Sequence, residues 1–175
     1  MDAPIEMELQ KSLENFHIPR YHELPDFGLR LEQVTRYVSR YVPTPVTGSM
    51  VSNYVKQKII PGPEKKSYGV DSIAYLIIVT YLKNTVSLED IRFLLGVQQD
   101  NYQLSVAYDY FCEELEGLLR YVIGIKEAPS AIDHMNPQKE LLRTALFSIT
   151  YKIYLAYRIA LLRQEGQTEA VSPNP

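Results

Sequence analysis

Ser49, Ser52, Asn53 and Lys56 fall at i, i+3, i+4 and i+7, the spacing that lines side chains along one face of a helix. Their chemistry suits recognition rather than bond-making. Asn53 is the type that pairs with an adenine edge, and Ser49 and Ser52 can meet a phosphate or a base. Lys56, Lys58, Lys65 and Lys66 follow closely and supply charges for phosphates, the groups that dominate affinity for a duplex. Thr47 or Ser49 can cap the helix, whose first N–H groups need an acceptor. Tyr54 and Tyr68 are expected to pack the helix against the segment after it, with a hydroxyl left to reach a phosphate. Each residue also has a plain reading, since lysines solubilise a surface and an exposed Asn needs no partner.

Nothing in the chain points to catalysis. There is no Ser-His-Asp order, no phosphate-cradling Gly loop and no HExxH. His17, His22 and His134 are scattered, with no acid or Cys at ligand spacing, so neither a metal nor another cofactor is expected. Cys112, beside Phe111 on a helical seam, reads as a small core residue. Glu113, Glu114 and Glu116 read as a solvated helix face.

The elements around the stripe follow from apolar period and breakers. Residues 1–26 form an N-terminal extension with weak amphipathic character near Ile5–Leu13, then a Pro-punctuated connector. From Leu29 a helix is expected (Leu29, Val34, Tyr37, Val38, Tyr41), stopped by Pro43 and Pro45. The stripe helix follows with Val51, Tyr54 and Val55 inward, and it must finish near Lys58 before Pro61-Gly62-Pro63. Ile59–Ile60 and Lys65–Tyr68 read as two very short strands of a hairpin, or wing. Gly69 or Asp71 opens a helix apolar on nearly all sides (Ile73, Ile77, Tyr81), hence buried. Ser87-Leu88-Glu89-Asp90 is a capping box for another, expected to end at Gly96. Two long helices complete the pattern. Their seams are Leu104, Tyr108, Phe111, Leu115, Leu118, Val122, Ile125 and then Leu142, Leu146, Ile149, Ile153, Ala156, Ala160. These helices either close on each other as a hairpin or form a dimer interface. The tail from 166 is polar and expected to be disordered.

Taken in order, V-T-G-S-M-V-S-N-Y-V-K-Q-K-I-I-P, K-K-S-Y-G-V-D-S-I-A-Y-L and N-T-V-S-L-E-D-I-R-F-L-L resemble the DNA-binding region of MerR-type regulators. Tyr54, Ile59-Ile60-Pro61, Lys66-Ser67-Tyr68, Asp71 and Ser87-Leu88-Glu89-Asp90-Ile91 carry the likeness over about 50 of the 175 residues. Ser52 stands where that pattern has Arg, and Lys58 where it has a helix-closing Gly. LPDFGLRLEQV with SMVSNYVKQKIIPGPEKKSY resembles, more closely, an uncharacterised bacterial domain-of-unknown-function family over about 24–95. The fold class implied is mainly α: a MerR-like winged helix-turn-helix (27–99) with a small β-hairpin wing, then a C-terminal helical hairpin (100–165).

Composition bounds the rest. Hydrophobic residues are 46% and charged residues 22%, the balance of a globular chain. One cysteine excludes an internal disulfide and fits a reducing compartment. The start lacks a secretory pattern, and the run at 73–82 is too short for the ~20 residues of a bilayer span, so a cytoplasmic location and no membrane are expected. Net charge is −3, yet residues 28–68 carry seven bases (Arg30, Arg36, Arg40, Lys56, Lys58, Lys65, Lys66) against Glu32 and Glu64. Positive charge is therefore collected in one segment, as a phosphate-binding surface needs. The expected function is a DNA-binding transcriptional regulator, a homodimer on double-stranded DNA through its C-terminal helices. Helix 48–58 would read the major groove and 61–68 the flanking phosphates. An effector binding the C-terminal helices stays open. The rival is a protein-interaction module that keeps the shape without binding DNA, favoured by the acidic net charge and by Ser52 in place of Arg.

Overall fold

A computed structural model describes residues 11, 14–127, 129 and 136–171, with side chains up to 163. Its elements are a 3-10 turn at Tyr21–Glu23 and six α-helices. These are α1 (Leu31–Val38), α2 (Gly48–Lys56), α3 (Val70–Leu82), α4 (Leu88–Asn101), α5 (Leu104–Val122) and α6 (Pro137–Val171). The class is mainly α, and the expected pattern near Ile5–Leu13 lies almost wholly outside the described residues.

The apolar pattern explains the layering. Every residue of α3 from 72 to 82 is buried, so the other helices are arranged around it. Its two polar members are satisfied internally: Ser72 Oγ donates to Pro61 O at 3.1 Å and Thr80 Oγ1 to Leu76 O at 2.7 Å. α5 packs on α3 with Tyr108, Phe111, Cys112, Leu115 and Leu118 inward, and α6 covers α5 with Ala145, Leu146 and Ile149. The two C-terminal helices therefore do close on each other within one chain. Beyond Ile153 the expected seam positions Ala156 and Ala160 are exposed, and the next buried residue is Leu161. α6 continues to Val171, into residues read from composition as a polar tail. Its portion Pro137–Arg163 is long and apolar enough to cross a membrane, by length and composition alone.

The β-hairpin wing expected at 59–68 is not formed. Among the described residues there is no strand, only isolated bridges at Leu29–Tyr68 and Glu64–Ser67. Three physical causes account for the difference. Ile59 and Ile60 are both buried at 5% and 4% exposure, so their side chains do not alternate between core and solvent as in a half-exposed strand. Pro61 and Pro63 bring no N–H to a ladder. Lys65 and Lys66 both have positive φ, 47° and 67°, so the chain reverses within 64–67 as a two-residue turn. The winged helix-turn-helix with a small hairpin is corrected accordingly to an all-helical arrangement.

Two boundaries also differ. α1 begins at Leu31, because Leu29 is extended and bridged to Tyr68. α4 passes through Gly96 to Asn101: a Cβ there would meet nothing within 4 Å, and the helix simply continues. Ile18 and Leu24 are in the core, and Tyr108 Oη donates to Pro19 O at 3.0 Å.

Candidate nucleic-acid interface

α1 and α2 are held at a fixed relation by the loop between them. Ser39 Oγ donates to Thr35 O at 2.6 Å and accepts the Val46 N–H at 2.9 Å, so one hydroxyl ties the end of α1 to the approach to α2. Tyr81 Oη, from buried α3, donates to Tyr41 O at 2.6 Å and anchors the same loop. The helix starts approach closely at Gly48, where a Cβ would sit 3.2 Å from Leu31 Cδ2. Thr47 is the N-cap of α2, its Oγ1 accepting the Met50 N–H at 3.3 Å and sharing a hydrogen bond with Ser49 Oγ at 2.9 Å.

Val51 and Tyr54 face the core, leaving Ser49, Ser52, Asn53 and Lys56 exposed, as the spacing requires. Asn53 Oδ1 accepts Gln57 Nε2 at 3.0 Å, which orients the amide while its second lone pair and its own N–H groups remain available. Tyr54 and Tyr68 are buried at 4% and 6% exposure, and burial pushes both phenols above their ordinary pKa. They are packing residues; their burial leaves little surface for a phosphate.

The end of α2 is a Schellman motif. Lys58 N–H donates to Val55 O and Ile59 N–H to Tyr54 O, each at 2.9 Å. The motif requires a left-handed residue at 58, and Lys58 takes it with φ 56°. Beyond Pro61-Gly62-Pro63, Glu64 and Ser67 exchange backbone hydrogen bonds of 2.9 and 2.8 Å around Lys65 and Lys66. Leu29 and Tyr68 exchange another pair of 2.9 and 2.8 Å, which fixes the lysine turn beside the entry to α1. Gly28 permits this, with φ 73° and a would-be Cβ only 3.1 Å from Ser67 Cβ. Among the described residues, Lys58, Lys65 and Lys66 are the non-glycine positions with positive φ, and all three are exposed. Arg30, Arg36 and Arg40 are exposed as well, so all seven bases of 28–68 lie at the surface, as do Glu32 and Glu64.

Sequence reasoning missed a second cluster. Glu116 is 4% exposed and is not part of a solvated face. Its carboxylate accepts Arg20 Nη1 at 2.8 Å, Arg20 Nη2 at 3.0 Å and the Ile18 N–H at 2.8 Å. Arg120 and His17 lie 3.7 and 3.5 Å away. Burial pushes its pKa up, but the Arg20 guanidinium and the Ile18 N–H outweigh that and hold it below the ordinary value. Glu114 pairs with Arg143 at 3.1 Å, leaving Glu113 as the exposed member of the trio. The i,i+4 relation of Glu116 to Arg120 was the signal available in sequence. Among the described residues no group of three His, Cys, Asp or Glu could hold a metal, and His134 lies outside them.

The described residues thus define an all-helical protein with a basic, polar helix pair on its surface. Residues 19–111, just over half of the chain, match the family described as Domain of unknown function (DUF1836), and the chain belongs to that family. The matched span extends beyond 24–95 at both ends. No curated protein and no solved structure matches the chain.

Proposed function

We propose that the protein is a DNA-binding regulator whose α1–α2 pair docks on duplex DNA, with α2 in the major groove. The observation that carries this reading is the backbone of three lysines. A left-handed conformation costs a side-chain-bearing residue roughly 1–2 kcal/mol and costs glycine almost nothing. Lys58, Lys65 and Lys66 all hold it, exposed, the first at the C-terminal end of α2 and the other two in the turn at 64–67. What those positions gain for that strain is an ammonium, a phosphate ligand. Ser49, Ser52 and Asn53 face outward on α2 and have the chemistry of base and phosphate contacts. The MerR-type resemblance supports the same reading through its helices alone.

A second copy of the chain completes this reading. Tyr151, Leu155, Ile159 and Leu162 are 51%, 60%, 40% and 61% exposed along one face of α6. An apolar stripe of this length suits pairing with its own copy, and a dimer would carry two α2 helices for two half-sites. Selection of bound duplexes from a random pool tests the whole reading. A recurrent sequence with two related half-sites is expected. Recovery of no preferred sequence and no retained duplex would favour the rival, a protein-docking module. That rival draws on Phe27, 78% exposed beside the lysine turn.

A further inference from the structure

The polar stripe of α2 has two shoulders. At about 100° per residue, Met50 and Val55 fall on opposite sides of Ser49, Ser52, Asn53 and Lys56. The Val55 shoulder is met by the turn after α2. A Cβ on Gly62 would sit 3.2 Å from Val55 Cγ1, and the chain reaches Lys65 and Lys66 three and four residues later. The Met50 shoulder is met from the far end of α3. Lys83 is the C-cap of that helix, and its Nζ donates to Met50 Sδ at 3.7 Å. Ser72, near the start of α3, donates to Pro61 O at 3.1 Å, so the stretch from Met50 to Pro61 runs against the direction of α3. A lysine from outside the basic segment 28–68 is thereby brought to the first turn of α2.

Lys83 is partly buried and poorly partnered there. A thioether is a weak acceptor, and an ammonium has three protons to donate. Burial lowers its pKa, and among the described residues no carboxylate offsets that. An ammonium so placed gains a strong, charge-assisted hydrogen bond from an anion brought to it. A helix lying in the major groove has a phosphate strand along each shoulder. We propose, resting on the duplex-binding reading of α2, that Lys83 ligates a backbone phosphate of the strand along the Met50 shoulder, opposite the strand met by Lys65 and Lys66. The duplex is then held across the groove from both sides of the stripe. Such a contact fixes the register of α2 on the duplex and carries no sequence preference of its own.

Affinity for several unrelated duplexes across a salt series, with chemical denaturation alongside, tests this on the full-length chain. Lys83→Met keeps an apolar stem and removes the charge. It should weaken binding to all duplexes alike and reduce the slope of log affinity against log salt by about one for each α2 on the duplex. Lys83→Arg should keep the wild-type slope. The denaturation midpoint of Lys83→Met should not fall, because the ammonium it removes has no charged partner. Lys83→Gln carries the same comparison if the methionine variant does not fold. An unchanged slope in these neutral variants, with salt-dependent binding by the wild-type chain, would overturn the phosphate contact and leave the duplex reading standing. A lower midpoint together with that unchanged slope would make Lys83 a packing residue. Loss confined to some sequences would also overturn the proposal, as the mark of a base contact. No binding of any duplex by the wild-type chain would overturn both readings together.

Discussion

Leu29 and Tyr68 exchange both backbone hydrogen bonds, at 2.9 and 2.8 Å, and this single rung locks the lysine turn to the segment entering α1. Tyr68 is buried as well as paired. Truncation by Tyr68→Ala should therefore cost about 3 kcal/mol in chemical denaturation, typical for removal of a buried ring. Gly28→Ala acts on the same rung, through a positive φ and a 3.1 Å approach to Ser67 Cβ, and should lower stability by about 1–2 kcal/mol.

Strain and charge at the turn can be separated by substitution. Lys65→Gly with Lys66→Gly relieves two left-handed lysines, and the midpoint of unfolding should rise by the equivalent of about 1 kcal/mol after allowance for unfolded-chain entropy. The same double variant should bind duplex DNA more weakly, and about equally so for all sequences. Opposite signs for stability and binding are the expected signature; weaker binding without a gain in stability would mean that the strain is not there.

The Glu116 cluster gives a pH dependence of stated sign. Because the folded carboxyl is held below its ordinary value, its stabilisation is fully present above the unfolded pKa, near 4.3, and is lost as pH falls through the folded value. Denaturation measured from pH 7 down to 3 should show this acid-side loss in the wild-type chain and a shallower one in Glu116→Gln. At pH 7 that variant should lose about 3 kcal/mol, since Arg20 keeps its charge without its partner.

Cys112 is fully buried, and burial pushes its thiol up to about 12. A thiol so raised has almost no thiolate at neutral pH. A thiol-reactive dye should label the native chain only at the rate of unfolding and label one site promptly in denaturant. Prompt labelling of the native chain would contradict the packing of α5.

The parts of this fold that were legible in sequence are those set by local chemistry. The continuous apolar run of α3 announced its burial, and Thr47 and Ser87 announced their helices, each accepting the backbone N–H three residues on. The polar stripe of α2 was legible because its period is fixed by the helix. What failed was set by backbone state or distance. Lysine has no preference for left-handed φ, so nothing in Lys65-Lys66 distinguished a two-residue turn from a strand. Gly96 looked like a stop because glycine so often closes helices, yet here it holds ordinary helical backbone. Glu116 looked solvated because Glu113 is, while the arginine that justifies its burial lies 96 residues away.

Base reading and phosphate contact make different demands on α2. Asn53→Ala should change the preference between duplex sequences, whereas Lys56→Ala should weaken all of them alike. If both act without regard to sequence in competition binding, Asn53 is not a base reader.

Affinity for duplex DNA across a salt series tests the proposed function most directly. A dimer placing three or more lysines and arginines per chain on phosphates should make about six to ten contacts, and its affinity should fall by ~10³–10⁵ between ~50 and ~200 mM salt. Replacing Lys65 and Lys66 by Ala should flatten that slope by about one for each phosphate left without its lysine. No binding at low salt, or binding that salt leaves unchanged, would contradict a duplex docked on the basic face of α1 and α2.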